Sequence, residues 1–580
     1  MNELIVGIDL GTTNSELAVA IDGVIKVIPI HGNPIMPSCV GIDGPGKLIV
    51  GQAAKNQLVA APESTILSIK RKMGDDLKVR LGEKEFSPEE ISSFILRELK
   101  VEGERELGRT ISKAVVTVPA FFNEQQRKAT QVAGELAGLE VVRILNEPTA
   151  AALAYGAGSQ GNETMLVYDL GGGTFDVSVV TVEAGVVEVR ASHGDTHLGG
   201  DDFDQLLVEH AIAVFKKQHS RDLHQDLKTL RRLKVAMEQA KRRLSDEPFV
   251  TVREEYLDGR HHLELEITRE DYEAMILPLI EKTLICLHQS LNDARLSPGD
   301  ISKVMLVGGA TRTPLVHRVL QHSLGRAPRF EINPDLIVAM GAAVQGGVLA
   351  GGKRHSILVD ITPHTFSTAA LTHYESGESG MECVPLIPRN TPLPASKAEV
   401  FSTCYDNETE VKVTAYQGES PDPEENTLLG DFLIEGLSAV PAGNQVVIHF
   451  DLDLNGMLKV TAAEKITGLA KTVTLDTRGA YALDLDQARR NVAELVGEPV
   501  DDSAAPAASA ADETADRQTQ LATARDLRKR AEILLQKNIS PADAAELRKL
   551  LDEGAESIGQ RADLTGINDA LSDLIYYLED

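Results

Sequence analysis

The chain has 580 residues, enough for several domains, and its 58 basic and 87 acidic side chains give a net charge of −29. This acidic balance argues against bulk binding of nucleic acid. Cys39, Cys286, Cys383 and Cys404 have neither metal-site spacing nor a disulfide framework, so reduced thiols in a cytoplasmic protein are expected. The N-terminus has no secretory-signal pattern, and no apolar run reaches membrane length, so no membrane partner is expected.

One short pattern occurs twice, over 6–20 and over 166–180: an apolar strand ending in Asp-Leu-Gly, a turn rich in Gly and Thr, and a second apolar run. Each copy predicts a β-hairpin whose turn offers backbone N–H groups and hydroxyls to an anion. The acids at the strand ends, Asp9 and Asp169, suit Mg²⁺, which prefers oxygen ligands. Two such hairpins facing each other would clamp a nucleoside triphosphate, although each could also be a plain turn.

Up to about residue 350, strand-like and helix-like stretches alternate, which predicts an α/β domain. The clearest elements are strands at 114–118 and 303–307 and helices at 124–138, 227–244 and 337–349. A Gly-rich linker follows, and short alternating runs from Ile357 to about Leu475 predict an antiparallel β domain. The tail from Asp484 is predicted to be helical, with an Ala/Ser/Pro tether near 499–515 and helices near 516–537, 541–558 and 563–578.

The motifs resemble those of the DnaK-type heat-shock chaperone family (70-kDa heat-shock proteins) from Leu4 to about Leu475. The segments that carry the likeness are 7–15, 118–122, 146–152, 169–176, 307–312, 389–394 and 416–419. The short stretch between Lys70 and Pro119 and the reduced tail resemble the HscC-like branch. The resemblance implies an α/β actin-like (duplicated ribonuclease-H-like) ATPase domain over 1–353, an interdomain linker over 354–361, a β-sandwich peptide-binding domain over 362–478 and a C-terminal helical lid over 479–580.

The resemblance also implies the roles of individual residues in the ATPase domain. The implied catalytic residues are Lys70, Glu147, Asp169, Thr174 and Asp176, and Mg²⁺ would be held by Asp9 and Asp169, mainly through water. The implied nucleotide contacts are Asp9, Gly11, Thr12, Thr13, Asn14, Gly171, Gly172, Gly173, Thr174, Gly199, Gly200, Glu238, Lys241, Arg242, Ser245, Gly308, Gly309, Arg312 and Asp335. Phosphoryl transfer needs mainly positioning and charge neutralisation, which such a set can supply.

Two of these assignments have ordinary alternatives. Glu238, Lys241, Arg242 and Ser245 lie at i, i+3, i+4 and i+7, so one helix face presents all four, as a charged solvent face also would. Lys70 lies in the basic run 70–72, and without the family pattern a solvated run would be the simpler interpretation.

For the β domain, the resemblance implies a groove for an extended peptide, formed by Phe366, Thr368, Leu371, Phe401, Cys404, Val411, Val413 and Met457. Most of these residues could equally belong to the core. The residues implied to couple the domains are Pro119, Arg127, Arg143, Ile357, Leu358, Val359 and Asp360. The three aliphatic side chains among them are expected to be buried on the ATPase domain in one state and released in another.

The chain departs from the family pattern at several positions that bear on coupling. Asp201 stands where Glu is usual, and His364 and Ser367 stand where Leu and Gly are usual. The linker also lacks its leading acid, since His355 precedes the aliphatic residues. We therefore expect a modest coupling between the domains.

The function expected from these observations is that of a cytoplasmic, ATP-dependent molecular chaperone that binds and releases extended hydrophobic segments of unfolded proteins. Its cofactors would be ATP/ADP and Mg²⁺, with K⁺ as a further candidate. Its partners would be unfolded polypeptides and a J-domain co-chaperone, and the need for a nucleotide exchange factor stays open. The alternatives are a small-molecule kinase on the actin-like fold, which would not explain the β domain, and an ATP-switched assembly protein.

Overall fold

The computed structural model describes residues 3–497 without 157–161, 184, 330–331, 353–356, 374–378 and 475–482, then 540–560 and the single residues 524, 527, 528, 531, 535 and 571. The described residues fall into two compact units. The first lies within 1–451 and 455–500, and the second within 452–454 and 501–580. Among the helices of the described part, none has both the length and the apolar composition to cross a membrane.

Among its described residues, the α/β region of the first unit has eighteen strands and nine α-helices. The strands are β1 (Ile5–Leu10), β2 (Asn14–Ile21), β3 (Val24–Ile28), β4 (Met36–Pro37), β5 (Cys39–Ile42), β6 (Leu48–Val50), β7 (Thr65–Leu67), β8 (Val79–Leu81), β9 (Lys84–Phe86), β10 (Lys113–Val118), β11 (Glu140–Asn146), β12 (Glu163–Leu170), β13 (Phe175–Glu183), β14 (Val186–Asp195), β15 (Phe249–Glu254), β16 (Leu263–Thr268), β17 (Lys303–Val307) and β18 (Ile357–Val359). The helices are α1 (Gln52–Gln57), α2 (Pro88–Leu107), α3 (Glu124–Leu136), α4 (Glu147–Gly156), α5 (Gly200–His219), α6 (Leu227–Leu244), α7 (Arg269–Asp293), α8 (Pro314–Leu324) and α9 (Ile337–Leu349).

Two central sheets repeat one plan and define two lobes. The first has the order β11-β10-β1-β2-β3, with β4 paired to β2, and the second has the order β17-β12-β13-β14-β18. In each, a hairpin (β1–β2 or β12–β13) is antiparallel, and its first strand also pairs in parallel with a later strand. The duplicated hairpin predicted from the sequence is therefore confirmed, and each copy lies at the centre of its lobe.

Small residues let helices α4 and α9 pack tightly between the two sheets. A Cβ atom placed on Gly341 would come within 1.8 Å of the Ala150 carbonyl oxygen, and one on Gly7 within 2.1 Å of the Ala343 nitrogen. Since only glycine fits at such distances, the Ala/Gly-rich helix predicted at 337–349 packs closely, as expected. Its contact with β1 positions the start of the first hairpin.

Helix α6 follows the predicted amphipathic pattern over the predicted range. The side chain of Asp226 caps it by accepting a hydrogen bond from the Thr229 backbone N–H at 3.1 Å. Leu233, Met237 and Leu244 are buried along one face. The opposite face is left to carry charged side chains toward the space between the lobes.

The β domain consists of two four-stranded antiparallel sheets, ordered β20-β19-β22-β23 and β21-β24-β25-β26. Its strands are β19 (Phe366–His373), β20 (Ser379–Ile387), β21 (Ala395–Ser402), β22 (Glu410–Gln417), β23 (Thr427–Glu435), β24 (Gln445–Leu452), β25 (Leu458–Glu464) and β26 (Ala470–Thr474). Burial alternates along β24, where Val446, Ile448 and Phe450 are buried. This period of two is typical of a sheet with one face on the core, and it confirms the predicted sandwich.

The linker strand β18 extends the second central sheet, pairing in parallel with β14 so that Leu358 lies opposite Val187. After the sandwich, helix α10 (Leu485–Val496) lies against α2 and α3, and its Val492 belongs to the hydrophobic core of the first lobe. In the second unit, α11 (Pro541–Gln560) confirms the helix predicted near 541–558. The helices predicted near 563–578 and, apart from single residues, near 516–537 lie outside the described residues, as does the tether.

Candidate functional site

The turns of the two hairpins face each other at contact distance. A Cβ atom on Gly172 would come within 1.9 Å of Thr13 Oγ1, and one on Gly173 within 2.7 Å of Thr12 Cγ2. The hydroxyl of Thr13 is buried and has no hydrogen-bond partner in the described structure. The facing turns therefore form a narrow, polar space that accepts no further side chain and leaves a buried hydroxyl available to a ligand.

Four carboxyl groups lie around this space: those of Asp9, Glu147, Asp169 and Asp176. Glu147, Asp169 and Asp176 are buried, whereas Asp9 as a whole residue is half-buried. Burial, together with the charge of Glu147, raises the pKa of Asp9 and that of Asp176 to about 7 each. The same two causes raise the pKa of Asp169 well above its ordinary value. The negative charges of these carboxylates repel one another, and a bound cation would reduce this repulsion.

Hydrogen bonds orient two of these acids. The hydroxyl of Thr117 donates to Asp9 Oδ1 at 2.8 Å, and the backbone N–H of Phe121 donates to Asp176 Oδ1 at 3.0 Å. The second bond comes from the segment that follows β10, so the first lobe holds an acid of the second. Neither Thr117 nor Phe121 was predicted as a site residue.

Lys70 is 2% exposed and its ammonium group contacts Glu147 Oε1. Its Nζ lies 5.8 Å from the centroid of the Phe122 ring. It sits in a 3₁₀ turn, Ile69–Lys72, preceded by Ser68 with a φ of 54°. The buried position excludes the alternative of a solvated lysine and brings the predicted catalytic cation to the predicted catalytic carboxylate.

The start of helix α5 closes the space from the second lobe. The N–H groups of Gly200 and Asp201 donate to the carbonyls of Gly171 and Gly172 at 2.9 and 2.7 Å. The side chain of Asp201 accepts a hydrogen bond from Ser68 of the first lobe. The shorter acid at this position therefore still makes a contact between the lobes.

The predicted adenosine contacts lie on α6 and in the loops after β17. Glu238 lies between Lys55 Nζ at 3.5 Å and Arg242 Nη2 at 2.6 Å, and Lys241 Nζ donates to the Gly200 carbonyl at 2.8 Å. Burial raises the pKa of Glu238, but Lys55, Arg242 and Lys241 outweigh it and hold the pKa below its ordinary value. Ser245 caps the C-terminal end of α6.

The remaining nucleotide candidates come from the second lobe. Gly308 has a φ of 81°, and a Cβ atom there would come within 2.8 Å of Asp169 Oδ1, so a glycine is needed beside this acid. Arg312 Nη2 lies 2.6 Å from Asp335 Oδ2. A Cβ atom on Gly309 would lie 3.5 Å from Asp335, which brings these three candidates together.

The residues present fit Mg²⁺ and a nucleoside triphosphate. The carboxyl oxygens of Asp9 and Asp169 are the hard ligands that Mg²⁺ prefers. Thr13 supplies a buried hydroxyl without a partner in the described chain, and Gly172 and Gly173 let the backbone approach a phosphate chain.

Sequence reasoning missed one acid of this region, Glu16. It is 3% exposed and lies opposite Asp9 in the register of the first hairpin. Burial raises its pKa well above the ordinary value, and the charges of Asp9, Asp335 and Glu147 add to this effect. The signal was available, because cross-strand partners share a face and the register follows from the length of the turn.

The predicted peptide-contacting residues differ in exposure. Phe366, Thr368 and Val413 are buried, whereas Leu371 is 37% exposed and Cys404 is exposed. Phe401, Val411 and Met457 are half-buried. Met457 lies in the turn between β24 and β25, whose Asn455 accepts a hydrogen bond from Ile144 of the α/β region, 3.0 Å away. The set is therefore spread over core, surface and a contact with the α/β region.

Asp360 anchors the linker in the α/β region. It is 6% exposed and accepts hydrogen bonds from Asn146 Nδ2 and Thr149 Oγ1, each at 3.2 Å. Burial raises its pKa, partly offset by the Ile361 N–H and by the charges of Arg143 and Arg127. Arg127 in turn donates to Asn146 Oδ1 at 2.6 Å. Its other hydrogen bonds go to the carbonyls of Ala120 and Phe122, on either side of the 119–122 turn.

The sequence predicts that the docked linker buries all three aliphatic side chains. The structure shows that it does not. Leu358 packs against the core shared by the two central sheets, and Val359 is half-buried, but Ile357 is 55% exposed. Side chains alternate along a strand, so Leu358 points to the face opposite that of Ile357 and Val359.

The sandwich rests on both lobes through polar contacts. On the first lobe, the Glu124 N–H donates to Gln417 Oε1 and the Leu458 N–H donates to Glu124 Oε1, each at 3.1 Å. On the second, Asp293 accepts from Arg389 Nη2 at 3.1 Å and from Asn390 Nδ2 at 2.9 Å. These contacts join segments far apart in sequence, and no local pattern predicted them.

Comparison with known proteins identifies relatives over most of the chain. The family model described as "Hsp70 protein" matches residues 5–80 and 75–578. The "Chaperone protein DnaK" of Thermotoga petrophila and that of Thermotoga maritima are each 46% identical over 506 residues, covering 84% of this chain and 83% of the relative. The "Chaperone protein DnaK" of Thermosipho melanesiensis is 44% identical over 491 residues, covering 82% of this chain and 80% of the relative.

Proposed function

The chain belongs to the Hsp70 family and is an ATP-dependent molecular chaperone with ATPase activity, and from that premise we propose that ATP is hydrolysed between the two facing hairpins. The observation that carries this proposal is the buried contact of Lys70 with Glu147, beside Asp9, Asp169 and Asp176. Buried clusters of opposite charges with perturbed pKa values are concentrated at functional sites.

In the proposed mechanism, the backbone of both turns and the hydroxyls of Thr12, Thr13 and Thr174 hold the phosphates. Lys70 contacts the γ-phosphate and neutralises the charge that develops as the attacking water adds and the bond to the β-phosphate oxygen breaks. Glu147 holds Lys70 in place, and the carboxylate of Asp176 orients the water and accepts its proton. Asp9 and Asp169 would hold Mg²⁺, which would supply charge neutralisation at the phosphates.

Binding of client segments is proposed for the sandwich, with Leu371, Phe401, Cys404 and Val411 at the accessible part of the groove. Main-chain hydrogen bonds along an extended peptide would provide affinity, and one or two apolar side chains would provide selectivity. A cytoplasmic location, a J-domain co-chaperone and K⁺ as a second cation complete the proposal.

Single-turnover hydrolysis tests the catalytic assignment. Lys70→Ala should bind ATP but hydrolyse it about a hundredfold more slowly, because it loses one transition-state contact. Lys26→Ala, an exposed lysine on β3 of the same lobe, is the matched control and should hydrolyse ATP at the wild-type rate. Near-normal hydrolysis by Lys70→Ala would overturn the assignment.

A further inference from the structure

A basic cleft lies where the two lobes meet, apart from the proposed nucleotide site. It encloses about 390 Å³, and its lining includes the cationic side chains of Lys72, Lys78, Arg80 and Arg231, with Glu63 as the acid among them. The whole chain has a net charge of −29, so its composition alone would not predict an excess of positive charge in this cleft.

The positive charges of these side chains are little neutralised by carboxylates of the protein. Within the residues that the structure describes, neither Lys72 nor Lys78 nor Arg231 forms an ion pair. Arg80 Nε donates to the carbonyl of Gly82 at 3.0 Å, which leaves its charge without a carboxylate. Asp75, outside the cleft, is near enough to Lys72 for an electrostatic interaction. The cleft therefore keeps a strong positive potential.

Arg231 is the most informative member of the group. Its Nε is buried and has no hydrogen-bond partner in the described chain, whereas the next residue, Arg232, pairs with Glu254 Oε2 at 2.6 Å. Burial lowers the pKa of Arg231, yet a guanidinium stays charged in proteins. A buried, charged donor without an acceptor is costly, and phosphate oxygens are the acceptors that a guanidinium fork fits well.

The cleft joins the two lobes. Lys72, Lys78 and Arg80 belong to the first lobe, and Arg231 belongs to α6 of the second, which touches the 3₁₀ turn Pro62–Ser64. Lys72 ends the 3₁₀ turn that carries Lys70, and α6 also carries the candidate adenosine contacts. An anion held here would contact both lobes and offset the repulsion between their cations.

We propose that this cleft is a second anion site, which binds a compact ligand with several phosphate charges, such as inorganic pyrophosphate or short polyphosphate. The cations of both lobes would contact one ligand, so the bound anion would hold the lobes together. Its expected consequence, which rests on the proposed nucleotide site, is slower release of the nucleotide from between the lobes.

Calorimetric titration with tripolyphosphate at constant free Mg²⁺ tests the site in the full chain. The protein is first saturated with a non-hydrolysable ATP analogue, so that the proposed γ-phosphate position is filled. One equivalent of tripolyphosphate should still bind, more tightly than orthophosphate and sulfate. Arg231→Ala and Lys78→Ala, which change different lobes, should each weaken binding about tenfold, as expected for one lost charge-assisted hydrogen bond.

Arg232→Ala is the matched control, since it removes the same charge one residue away without touching the cleft, and it should bind as the wild type does. Arg231→Lys should recover part of the affinity. Equal binding by Arg231→Ala and the wild type, or loss of all binding once the nucleotide analogue is present, would overturn the proposal. Failure of the analogue itself to bind would instead contradict the proposed nucleotide site.

The effect on nucleotide release is measured with a fluorescent version of the same analogue. Saturating tripolyphosphate should slow its dissociation several-fold from the wild type and from Arg232→Ala, but not from Arg231→Ala. An unchanged rate in the wild type, with tripolyphosphate shown to be bound, would overturn the claim that the anion holds the lobes together.

Discussion

Glu16 lies directly opposite Asp9 on neighbouring antiparallel strands, and its 3% exposed side chain shares one face of the hairpin with that of Asp9 beside the proposed phosphate space. Besides burial, the charge of Asp9 disfavours ionisation of Glu16, and the ammonium group of Lys70 partly offsets this effect. The pKa of Asp9 is raised to about 7, and that of Glu16 is raised well above its ordinary value, in each case chiefly by burial.

Replacing Glu16 by Gln should stabilise the ligand-free protein at alkaline pH. In the unfolded chain a glutamate titrates near its ordinary value of about 4.3, so above that pH the folded state binds a proton that the unfolded state lacks. Stability therefore falls as the pH rises through this window, and a glutamine avoids the loss. We expect a gain in stability that is larger at pH 8 than at pH 5, measured as a shift in thermal unfolding. The exposed Glu85→Gln serves as control, and an equal shift at both pH values would contradict this account.

Local patterns explain which parts of this site were predictable. The hairpins, α6 and β17 were found because their periodicity and turn residues lie in adjacent sequence. Glu16 was missed because it lies in the polar start of β2, before the apolar run that begins at Leu17, and only the hairpin register places it beside Asp9. The Asp293 contacts with Arg389 and Asn390 join segments from different domains, and no periodicity connects them.

Nucleotide binding should release protons from the acid cluster. With the pKa values of Asp9 and Asp176 raised to about 7, these carboxyls are partly protonated at pH 7 in the free protein. Bound Mg²⁺ favours the ionised form, so binding of Mg²⁺·ADP should release roughly one proton. Calorimetry in buffers of different ionisation enthalpy measures this number. Asp9→Asn should release fewer protons than the wild type, and a binding heat that is independent of buffer would refute the prediction.

Val411→Phe should weaken the binding of Leu-rich extended peptides about tenfold, since overfilling a packed site costs about 1–3 kcal/mol. Val411 is half-buried on β22, and the neighbouring Lys412 points to the other face of the strand. Lys412→Phe therefore adds the same ring outside the proposed groove and should leave affinity unchanged. Fluorescence anisotropy of a labelled peptide, with circular dichroism as a check of folding, separates the two variants. Equal affinities would remove Val411 from the site.

His364, which stands where the family pattern has Leu, should make docking of the sandwich sensitive to acid. Its Nε2 lies 3.0 Å from the Phe121 carbonyl oxygen, and its ring packs on the Phe121 ring with centroids 4.4 Å apart. Burial lowers its pKa to about 4, and Arg127 and His193 add to this effect, while the hydrogen bond to Phe121 and the charge of Glu419 oppose it.

A released His364 titrates near its ordinary value of about 6.5, so the released state binds a proton that the docked state lacks. The docked arrangement is therefore fully favoured above this value and loses stability as the pH falls toward 4. Energy transfer between labels on the two domains should drop between pH 7 and 5 in the wild type and change less in His364→Leu. His288→Ala, an exposed histidine on α7, should follow the wild type. An identical pH response in His364→Leu would assign the effect to other groups.

The linker strand should couple peptide binding to hydrolysis through Leu358 and Val359. Leu358 packs against the core between the central sheets and Val359 is half-buried, while Ile357 is 55% exposed, so two half-buried side chains rather than three contribute, each less than the ~1.5–3 kcal/mol of full burial. Replacing Leu358 and Val359 together with Asp places charges where apolar groups were buried and should favour the released strand. Peptide stimulation of the ATPase should then disappear, while basal hydrolysis and peptide binding in the presence of ADP persist. Ile357→Asp adds the same charge on the exposed face and should keep the stimulation.

Because ATP and peptide must weaken each other's binding reciprocally, wild-type peptide off-rates should be faster with ATP than with ADP. Equal off-rates would show that this strand does not couple the domains.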